Sequence, residues 1–554
     1  MSELDLKRLQ NGSDIRGIAL AGVDGEEPNL TEDTASLLAH GFCAWLSEKT
    51  GKPFSSLTVS IGRDPRLSGK ALQDAAINAM AALGVRVLDC GLASTPAMFM
   101  STVFPEYSCD GAVMITASHL PFNKNGFKYF DKKGGLNKSD IADIIERAES
   151  IAECPPDCDC DCEDCAPISE DPICGITSLL ISECNLMDTY CTHLRSIIKR
   201  GVNAENPPAC MASVPDNIPT YERPLAGLKI AVDAGNGSGG FYAEKVLAPL
   251  GADVSGSCFL EPDGNFPNHA PNPEDKKALA IISRRVLETG ADFGLIFDTD
   301  VDRSAAVDEN GREIARNGIV ALAAVLAKEI SPGTTIVTDS VTSDHLSEFL
   351  TQRLGLSHLR YKRGYKNVIN KAIELNAGGT DCQLAIETSG HAAFKENYFL
   401  DDGAYLAAKI VIKAARLLRE GKSLSNVISD LKEPQEAIEV RLPVTASNFT
   451  AYGSQVIKEL EAWVQSQVTE NTDGKTVMQL AAPNYEGVRI SFLENSSASS
   501  SSMRPYGWCL LRMSLHDPIM PLNIEADKEG GCRQIAEILR EFLAHFDELD
   551  ISKL

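Results

Sequence analysis

Short apolar runs alternate with longer segments of helical periodicity along most of this 554-residue chain. The apolar runs predict buried strands, and the segments between them predict helices with one apolar face. Strands alternating with helices favour βαβ units with parallel or mixed sheets. The alternation restarts twice, so the sequence predicts three similar mixed-sheet α/β domains. The predicted strands are 57–61, 85–88, 229–233, 293–297, 335–338 and 383–386, and the predicted helices are 69–83, 241–250, 275–289, 319–330 and 343–354.

The pattern changes after a polar break at Glu433-Pro434. Predicted strands at 436–442, 487–492 and 509–514, with helices at 454–467 and 535–546, indicate a smaller α+β domain at the C-terminal end. The serine-rich segment 496–502 is predicted to be a loop. The expected domains are therefore 1–210, 211–317, 318–434 and 435–554.

Composition narrows the classes of function. Apolar content of 44% with 6% aromatic residues is typical of a globular protein. A net charge of −25 opposes binding of polyanions, so we expect neither a nucleic-acid nor a membrane partner. The longest apolar run, 319–327, is too short to span a bilayer. An anionic small substrate would need a local cluster of arginine and lysine, and the sequence carries no signal of oligomeric state.

Nine of the 16 cysteines lie between Cys154 and Cys210. The densest part, Cys154 to Cys165 within an insert near 154–174, alternates thiols with acids, which favours a mobile acidic insert. Soft-metal binding and a redox switch are the alternatives, although only Cys162 and Cys165 have the spacing of half a zinc knuckle.

The two ends of the chain bear on its location. The first residues contain no apolar core of a secretory signal, and their early acids disfavour a transit peptide unless the start lies upstream. The last three residues, Ser552-Lys553-Leu554, match the peroxisomal import tripeptide. We therefore expect a peroxisomal location if this signal is read, and a cytoplasmic one otherwise.

A glycine-rich turn raises one competing function. Gly235-Asn-Gly-Ser-Gly-Gly240 matches G-x-G-x-x-G between a predicted strand and a helix, with Asp253 at about the distance of a ribose-binding acid. Alone, this motif indicates an NAD-dependent oxidoreductase. No catalytic His-Asp or Tyr-Lys pair follows, so the sequence favours a turn that lets a helix pack close to a sheet.

The strongest chemical signals follow two predicted strands. Ser118 comes after the apolar run 111–115, where a serine can act as a nucleophile. Asp298, Asp300 and Asp302 follow the run 293–297, and alternate residues of an extended loop point the same way. Their carboxylates can converge on one hard cation, which would offset their mutual repulsion. Together these features predict a phosphoserine facing a divalent metal, with Arg303 touching a substrate phosphate or pairing with the acids.

Several separated motifs, taken in order, resemble the α-D-phosphohexomutase family, which includes phosphoglucomutase and phosphomannomutase. No one of them would suffice, but their order and spacing make chance improbable. The motifs are Asp14-Ile-Arg-Gly17, Gly62-Arg-Asp-Pro-Arg-Leu-Ser68, Thr116-Ala-Ser-His119 with Asn125-Gly-Phe-Lys128, Asp298 to Arg303, and Glu387-Thr-Ser-Gly-His391.

The resemblance implies four domains around a central cleft and an enzyme that interconverts hexose 1-phosphate and hexose 6-phosphate, with glucose or mannose as the sugar. It implies a phosphoserine, Mg²⁺, and a sugar 1,6-bisphosphate as intermediate and activator. By carry-over, Ser118 bears the phosphoryl group and joins Asp298, Asp300 and Asp302 around Mg²⁺, Arg16 steadies the phosphoserine, and His119 and Lys128 handle protons or charge. Glu387 and Ser389 bind sugar hydroxyls with help from His391. Lys366, near the family's third-domain contact loop, either meets the substrate or has a structural role.

One family motif is altered in the last domain. The family carries a phosphate-binding loop of the type R-P-S-G-T-E-P, and the nearest match is taken as Arg504-Pro-Tyr-Gly-Trp-Cys509. Arg504, Gly507 and Arg512, with the serines 499–502, are the predicted phosphate ligands, while Tyr506 and Trp508 would narrow the pocket or stack on a sugar. A phosphosugar-binding protein with impaired catalysis is therefore the alternative function, and an NAD-dependent oxidoreductase is a remote one.

Overall fold

The computed structural model of the chain describes residues 5–153, 179–204, 219–470, 477–495, 503–514 and 517–554. The cysteine-rich insert near 154–174 and the serines 499–502 lie outside the described residues. The chain forms two compact units. The first comprises 1–331 with 383–429, and the second comprises 332–382 with 430–554.

The first unit begins with a mixed sheet whose centre is a parallel core. Thr58–Arg63 pairs in parallel with both Gly111–Ile115 and Arg86–Leu92, and the short strand Ile181–Glu183 extends the sheet beyond Arg86–Leu92. The antiparallel strands on the other side are Gln10–Asn11, Asp14–Ile18, Lys124–Asp131 and Gly134–Gly135. The helices of this region are Glu32–Thr50, Gly69–Ala82, Thr95–Val103, Lys138–Glu153 and Leu186–Asn203.

A second mixed sheet follows in the same unit. The fully buried strand Phe293–Phe297 pairs in parallel with Ile230–Asp233 and antiparallel with Ser304–Val307, which also pairs with Glu313–Ile314. Its helices are Lys276–Thr289 and Asn317–Ile330, with a π-helical turn Tyr242–Leu247 and a 3₁₀ turn Ala248–Leu250. Farther along the chain, Cys382–Ile386, Ala392–Phe394 and Leu400–Asp401 pair antiparallel and precede helix Gly403–Arg419.

The second unit contains a parallel pair of strands and a larger antiparallel sheet. Thr335–Thr338 pairs with Ser357–Arg360, and the helical segments nearby are Asp344–Glu348, Phe349–Arg353 and Tyr365–Ala377. The antiparallel sheet has the order Glu436–Pro443, Ile519–Ala526, Met503–Leu511, Val488–Asn495, Val477–Leu480. Helices Phe449–Glu470 and Gly531–Leu543 accompany this sheet, whose buried core includes Leu522 and Leu539.

The expected fold class, α/β with mixed sheets followed by an α+β C-terminal domain, is confirmed. No helix of the described residues is long and apolar enough to cross a membrane. At the C-terminal end, the Leu554 N–H donates to the Ile551 carbonyl at 3.0 Å and the Leu554 side chain packs against the C-terminal core. The peroxisomal location stays a prediction.

Candidate active site

Ser118 lies in a tight turn directly after the buried strand Gly111–Ile115. Its backbone is left-handed, with φ of 49°, and its N–H donates to Thr116 Oγ1 at 2.9 Å. A non-glycine residue in this conformation costs about 1–3 kcal/mol and persists only where its surroundings hold it. The Ser118 hydroxyl is therefore presented from a backbone that the surrounding loop must stabilise.

Arg66 provides much of that stabilisation from beneath the serine turn. Its side chain is fully buried, and it donates to the carbonyls of Pro121 at 2.8 Å, Lys124 at 3.0 Å and Leu120 at 2.6 Å, and to that of Ser118 itself. Sequence reasoning included Arg66 in a family motif without giving it this role. An arginine that binds backbone carbonyls distant in sequence leaves no local signal beyond the motif.

The acidic loop brings its three carboxylates together, as predicted. Asp298, Asp300 and Asp302 are all buried, and oxygens of the three carboxylates lie within 4.8 Å of one another. Thr95, at the start of helix Thr95–Val103, fixes the loop twice. Its N–H donates to the Asp300 carbonyl at 2.9 Å, and its hydroxyl donates to the Asp300 carboxylate. Sequence reasoning missed Thr95.

The serine turn and the acidic loop meet at hydrogen-bond distance. Ser118 Oγ donates to Asp298 Oδ2 at 2.9 Å and accepts from Arg303 Nη2 at 2.8 Å. Arg303 Nη2 also donates to Asp298 Oδ2 at 3.1 Å. The structure thus unites the serine, the first aspartate and the arginine that the sequence had singled out separately.

The donor set of the acidic loop fits a hard divalent cation. Lys128 Nζ donates to Asp300 Oδ2 at 3.1 Å and also to Asp302, yet Asp300 Oδ1 is buried without a hydrogen-bond partner among the described residues. Burial, and then the charges of Asp302 and Asp300, raise the pKa of Asp298 well above its usual range. Both facts indicate that a further positive charge would stabilise the ionised carboxylates of the cluster. Carboxylate oxygens are the ligands that Mg²⁺ prefers.

The backbone of the acidic loop is strained at Val301, which is buried with φ of 67°. A left-handed conformation is unusual for a β-branched residue. The Gly403 N–H donates to the Val301 carbonyl at 3.1 Å, and a Cβ at Gly403 would lie 2.6 Å from the carbonyl carbon of Arg303. Glycine at position 403 therefore lets helix Gly403–Arg419 begin against the loop.

The glycine-rich turn 235–240 supports the same loop from another side. Ser238 N–H donates to the Thr299 carbonyl at 2.7 Å, and a Cβ at Gly237 would lie 2.8 Å from both the Cα and the carbonyl oxygen of Thr299. Gly237 is thus required for close packing onto the acidic loop. This contact gives the G-x-G-x-x-G match a structural role, as the sequence favoured.

The predicted sugar loop, Glu387 to His391, also lies beside the acidic loop. Ser304 N–H donates to the Gly390 carbonyl at 3.4 Å, and Glu387 N–H donates to the His391 carbonyl at 2.9 Å. Glu387 and Ser389 are buried, and Ser389 Oγ has no hydrogen-bond partner among the described residues. The loop therefore presents a hydroxyl that is available for a further hydrogen bond.

The two histidines of the site differ in charge. His391 Nδ1 donates to Asp401 and lies 3.9 Å from Asp302 Oδ1. Although burial opposes protonation, Asp401 and then Asp302 raise the pKa of His391 to about 9, so its ring is cationic at neutral pH. His119 Nδ1, by contrast, receives a hydrogen bond from Arg303 Nη2 at 2.7 Å. Because a guanidinium only donates, His119 is neutral there.

Arg16 contacts the backbone just before the serine turn. It donates to the Thr116 carbonyl and, through Nη2, to Asp14 Oδ2 at 2.7 Å. It pairs across the sheet with Gly126, where a Cβ would lie 2.7 Å from Arg16 Nη1. The glycine thus makes room for the guanidinium that donates to Thr116, two residues before Ser118.

The segment predicted to bind phosphate in the C-terminal domain is a strand in the structure, and its role in phosphate binding stays a prediction. Residues 504–509 belong to strand Met503–Leu511, which pairs on both sides, rather than to a loop. Tyr506 and Trp508 are buried in it, and a Cβ at Gly507 would lie 2.6 Å from the Glu525 carbonyl oxygen. Gly507 therefore serves strand packing, and the two aromatic rings are not exposed to a sugar.

The connection that follows this strand matches the family pattern better. Arg512-Met-Ser-Leu-His-Asp-Pro518 joins strands Met503–Leu511 and Ile519–Ala526 and carries the arginine, serine and proline of R-P-S-G-T-E-P, with aspartate replacing glutamate. Asp517 N–H donates to Ser514 Oγ at 3.2 Å. Sequence reasoning missed Ser514 and Asp517 because Arg504-Pro505 reproduces the start of the pattern.

The remaining predicted ligands lie in the second unit. Arg512 is buried, and its Nε has no hydrogen-bond partner among the described residues. Burial, and then the charge of Arg363, lower the pKa of Arg512. Lys366 occupies the first turn of helix Tyr365–Ala377, and Arg504 is exposed at the start of its strand.

Comparisons with known proteins agree over nearly the whole chain. Three family models, described as phosphoglucomutase/phosphomannomutase α/β/α domains I, II and III, match residues 7–153, 211–311 and 316–434. The phosphoglucomutase of Neisseria gonorrhoeae is 28% identical over 530 residues, which cover 94% of each chain. The phosphoglucosamine mutase of Desulforapulum autotrophicum is 31% identical over 403 residues, or 72% of this chain and 79% of that protein.

A solved structure shows the same fold. The crystal structure of a phosphoglucomutase/phosphomannomutase family protein from Burkholderia thailandensis superposes with a TM-score of 0.70 at 23% identity, covering 97% of each chain.

Proposed function

Because this chain belongs to the α-D-phosphohexomutase family and is an intramolecular phosphotransferase, we propose that it interconverts hexose 1-phosphate and hexose 6-phosphate through phosphoserine 118. The observation that carries the proposal is the 2.9 Å contact of Ser118 Oγ with Asp298 Oδ2, inside a buried cluster of three aspartates. The oxidoreductase alternative fails, since the family is one of mutases and Gly237 packs against Thr299.

Ser118 would first donate its phosphoryl group and then recover one. The bond between phosphorus and Ser118 Oγ breaks as a sugar hydroxyl oxygen bonds to phosphorus. The sugar hydroxyl gives up its proton and Ser118 Oγ takes one up, which yields a sugar 1,6-bisphosphate and a free serine hydroxyl. Transfer back from the other position regenerates the phosphoserine. Asp298, Asp300 and Asp302 would hold Mg²⁺, which supplies positive charge to the transferring oxygens.

The cationic side chains around the serine assist the same transfer. Arg303 already donates to Ser118 Oγ at 2.8 Å and is placed to donate to a phosphoryl oxygen. Lys128 contributes charge beside Asp300 and Asp302, and Arg16 holds the backbone of the turn at Thr116. These cationic groups stabilise the negative charge that develops on the phosphoryl oxygens during the transfer.

The sugar would be held by groups that serve both of its orientations. The Ser389 hydroxyl can donate or accept, and Glu387 lies in the same loop. His391, cationic through Asp401, can donate to a hydroxyl oxygen. In the second unit, we assign phosphate binding to the connection 512–518 rather than to 504–509, with Lys366 as a further cation.

The sugar itself is the finer part of the proposal. Glucose and mannose phosphates are the first candidates, and the match to a phosphoglucosamine mutase adds glucosamine phosphate. Turnover of all three should be measured with Mg²⁺ and a trace of the matching bisphosphate. We expect glucose 1-phosphate or mannose 1-phosphate to be converted most efficiently.

The Ser118→Ala variant tests the reaction itself. We expect a loss of turnover of about a thousandfold or more, because the oxygen that carries the transferred phosphoryl group is removed. The matched control is Ser150→Ala, an exposed serine on helix Lys138–Glu153, which should keep wild-type turnover. A wild-type enzyme that carries phosphate on Ser118 and binds phosphosugars without converting any would instead support the binding-protein alternative.

A further inference from the structure

A pair of thiols lies at the edge of the first sheet. Cys90 belongs to strand Arg86–Leu92, and Cys184 directly follows the edge strand Ile181–Glu183. The two sulfur atoms are 3.2 Å apart, although the residues are 94 positions apart in the chain. Both cysteines are free thiols in the structure.

The pairing of the two strands explains this proximity. They run parallel, with Asp89 opposite Glu183, so the next residues along, Cys90 and Cys184, are neighbours on one face of the sheet. The Cys184 N–H also donates to the Asp89 carbonyl at 2.9 Å, which continues the ladder. Neighbouring strands are about 4.8 Å apart, and disulfides span Cα separations of about 4.4–6.8 Å. A disulfide would therefore form here with little movement of the backbone.

The two thiols differ in exposure to solvent, and the more exposed one has the features of a thiol that reacts with peroxide. Cys184 is half-buried and stands just before helix Leu186–Asn203, whereas Cys90 is buried. Hydrogen bonds from the Cys90 thiol and the Leu186 N–H lower the pKa of Cys184. A thiolate at the start of a helix and open to solvent is the reactive form of cysteine.

We propose that Cys90 and Cys184 form a reversible disulfide, with Cys184 as the thiol attacked by hydrogen peroxide and Cys90 as the resolving thiol. The Cys184 thiolate attacks the peroxide, its S–O bond forms as the O–O bond breaks, and hydroxide leaves. The Cys90 sulfur then attacks the Cys184 sulfenic acid, the S–S bond forms, the S–O bond breaks, and the Cys90 proton leaves with the hydroxide as water. A dithiol reductant reverses the change by returning two electrons.

The disulfide would tie the edge strand and the following helix to the sheet. Within that helix, the Tyr190 hydroxyl donates a hydrogen bond to the carboxylate of Asp402. Asp402 follows Asp401, the hydrogen-bond partner of His391. Oxidation of the pair would therefore restrain helix Leu186–Asn203, which contacts Asp402 through Tyr190. The expected physical effect is slower hydrogen exchange of the strand and helix amides in the oxidised protein.

The test is treatment of the reduced full-length protein with hydrogen peroxide, followed by alkylation of free thiols and peptide mass spectrometry. The expected product is a peptide pair linked through Cys90 and Cys184, released by dithiothreitol. In Cys90→Ser, a dimedone adduct should accumulate on Cys184, whereas Cys184→Ser should give no adduct on Cys90. The matched control is Cys258→Ser, a half-buried thiol whose pKa is raised by burial, and it should keep the link.

Several results would overturn the proposal. They are a link from Cys184 to Cys109 or to a cysteine of the insert, equal peroxide reactivity of Cys184 and Cys258, or a dimedone adduct first on Cys90. The mapping of the wild-type protein needs no variant to fold, so it decides the matter even if substitution of the buried Cys90 destabilises the chain.

Discussion

Replacing Arg66 by lysine should slow phosphoryl transfer without altering substrate affinity. Arg66 is 1% exposed, so it does not reach substrate, and its guanidinium donates to the carbonyls of Ser118, Leu120, Pro121 and Lys124. A lysine has only three donors on one nitrogen and cannot reproduce four contacts from a planar fork. The serine turn should therefore lose at least one of its supports.

The size of the effect follows from the contacts that are lost. A hydrogen bond to a charged group is worth about 1.5–3 kcal/mol. If the lost bond holds the left-handed backbone of Ser118 in its reactive position, Arg66→Lys should lower kcat by about ten- to a hundredfold. The KM should stay close to that of the wild type, because Arg66 does not touch the sugar.

The assay is steady-state turnover at saturating Mg²⁺ and hexose bisphosphate, with the fraction of phosphorylated Ser118 measured in parallel. The matched control is Arg195→Lys, since Arg195 also donates to a backbone carbonyl, that of Lys245, but lies on helix Leu186–Asn203. The control should keep its kcat. An unchanged kcat in Arg66→Lys, or an equal fall in both variants, would refute the positioning role.

The other predictions concern the acidic loop and a buried ion pair. Gly237→Ala should lower both kcat and the free energy of unfolding, the latter by about 1–3 kcal/mol, because its Cβ would lie 2.8 Å from backbone atoms of Thr299; a denaturant titration measures it. Asp300→Asn should raise the Mg²⁺ concentration for half-maximal activity about tenfold or more, measured by metal titration. The His269 side chain is buried, and its Nε2 lies 3.0 Å from Asp233 Oδ2. Although burial alone would lower the pKa of His269, the hydrogen bond and the charge of Asp233 raise it overall. Its stabilising contribution is thus full below its ordinary pKa of about 6.5 and is lost as pH rises through the higher folded value, so the difference in unfolding free energy between wild type and His269→Asn should shrink with rising pH.

Much of the fold could be predicted because buried strands show as apolar runs. Phe293–Phe297 and Thr335–Thr338 have the bounds that the sequence predicted. The C-terminal strand Met503–Leu511 does not, since 509–514 was predicted. Its first residues include Pro505 and Gly507, which favour a loop locally, but pairing with strands on both sides overrides that preference.

The site divides in the same way. Ser118 and the aspartates could be predicted because a motif marks each of them. Thr95 could not, since it contacts Asp300 from a distant part of the chain, and such a contact exists only in the folded protein. Asp401 lies only ten positions after His391, but no motif marks it. The connection 512–518, to which we assign phosphate binding, was within reach of the sequence, but Arg504-Pro505 reproduces the first two positions of the family pattern.

The most direct test of the phosphoserine mechanism is the location of the transferred phosphate. The protein should be incubated with hexose 1,6-bisphosphate labelled in its phosphates, then digested and mapped by mass spectrometry. The account predicts label on Ser118 that is removed when unlabelled hexose monophosphate is added. Label on any other residue, or no labelled protein while the sugar phosphate turns over, would contradict it.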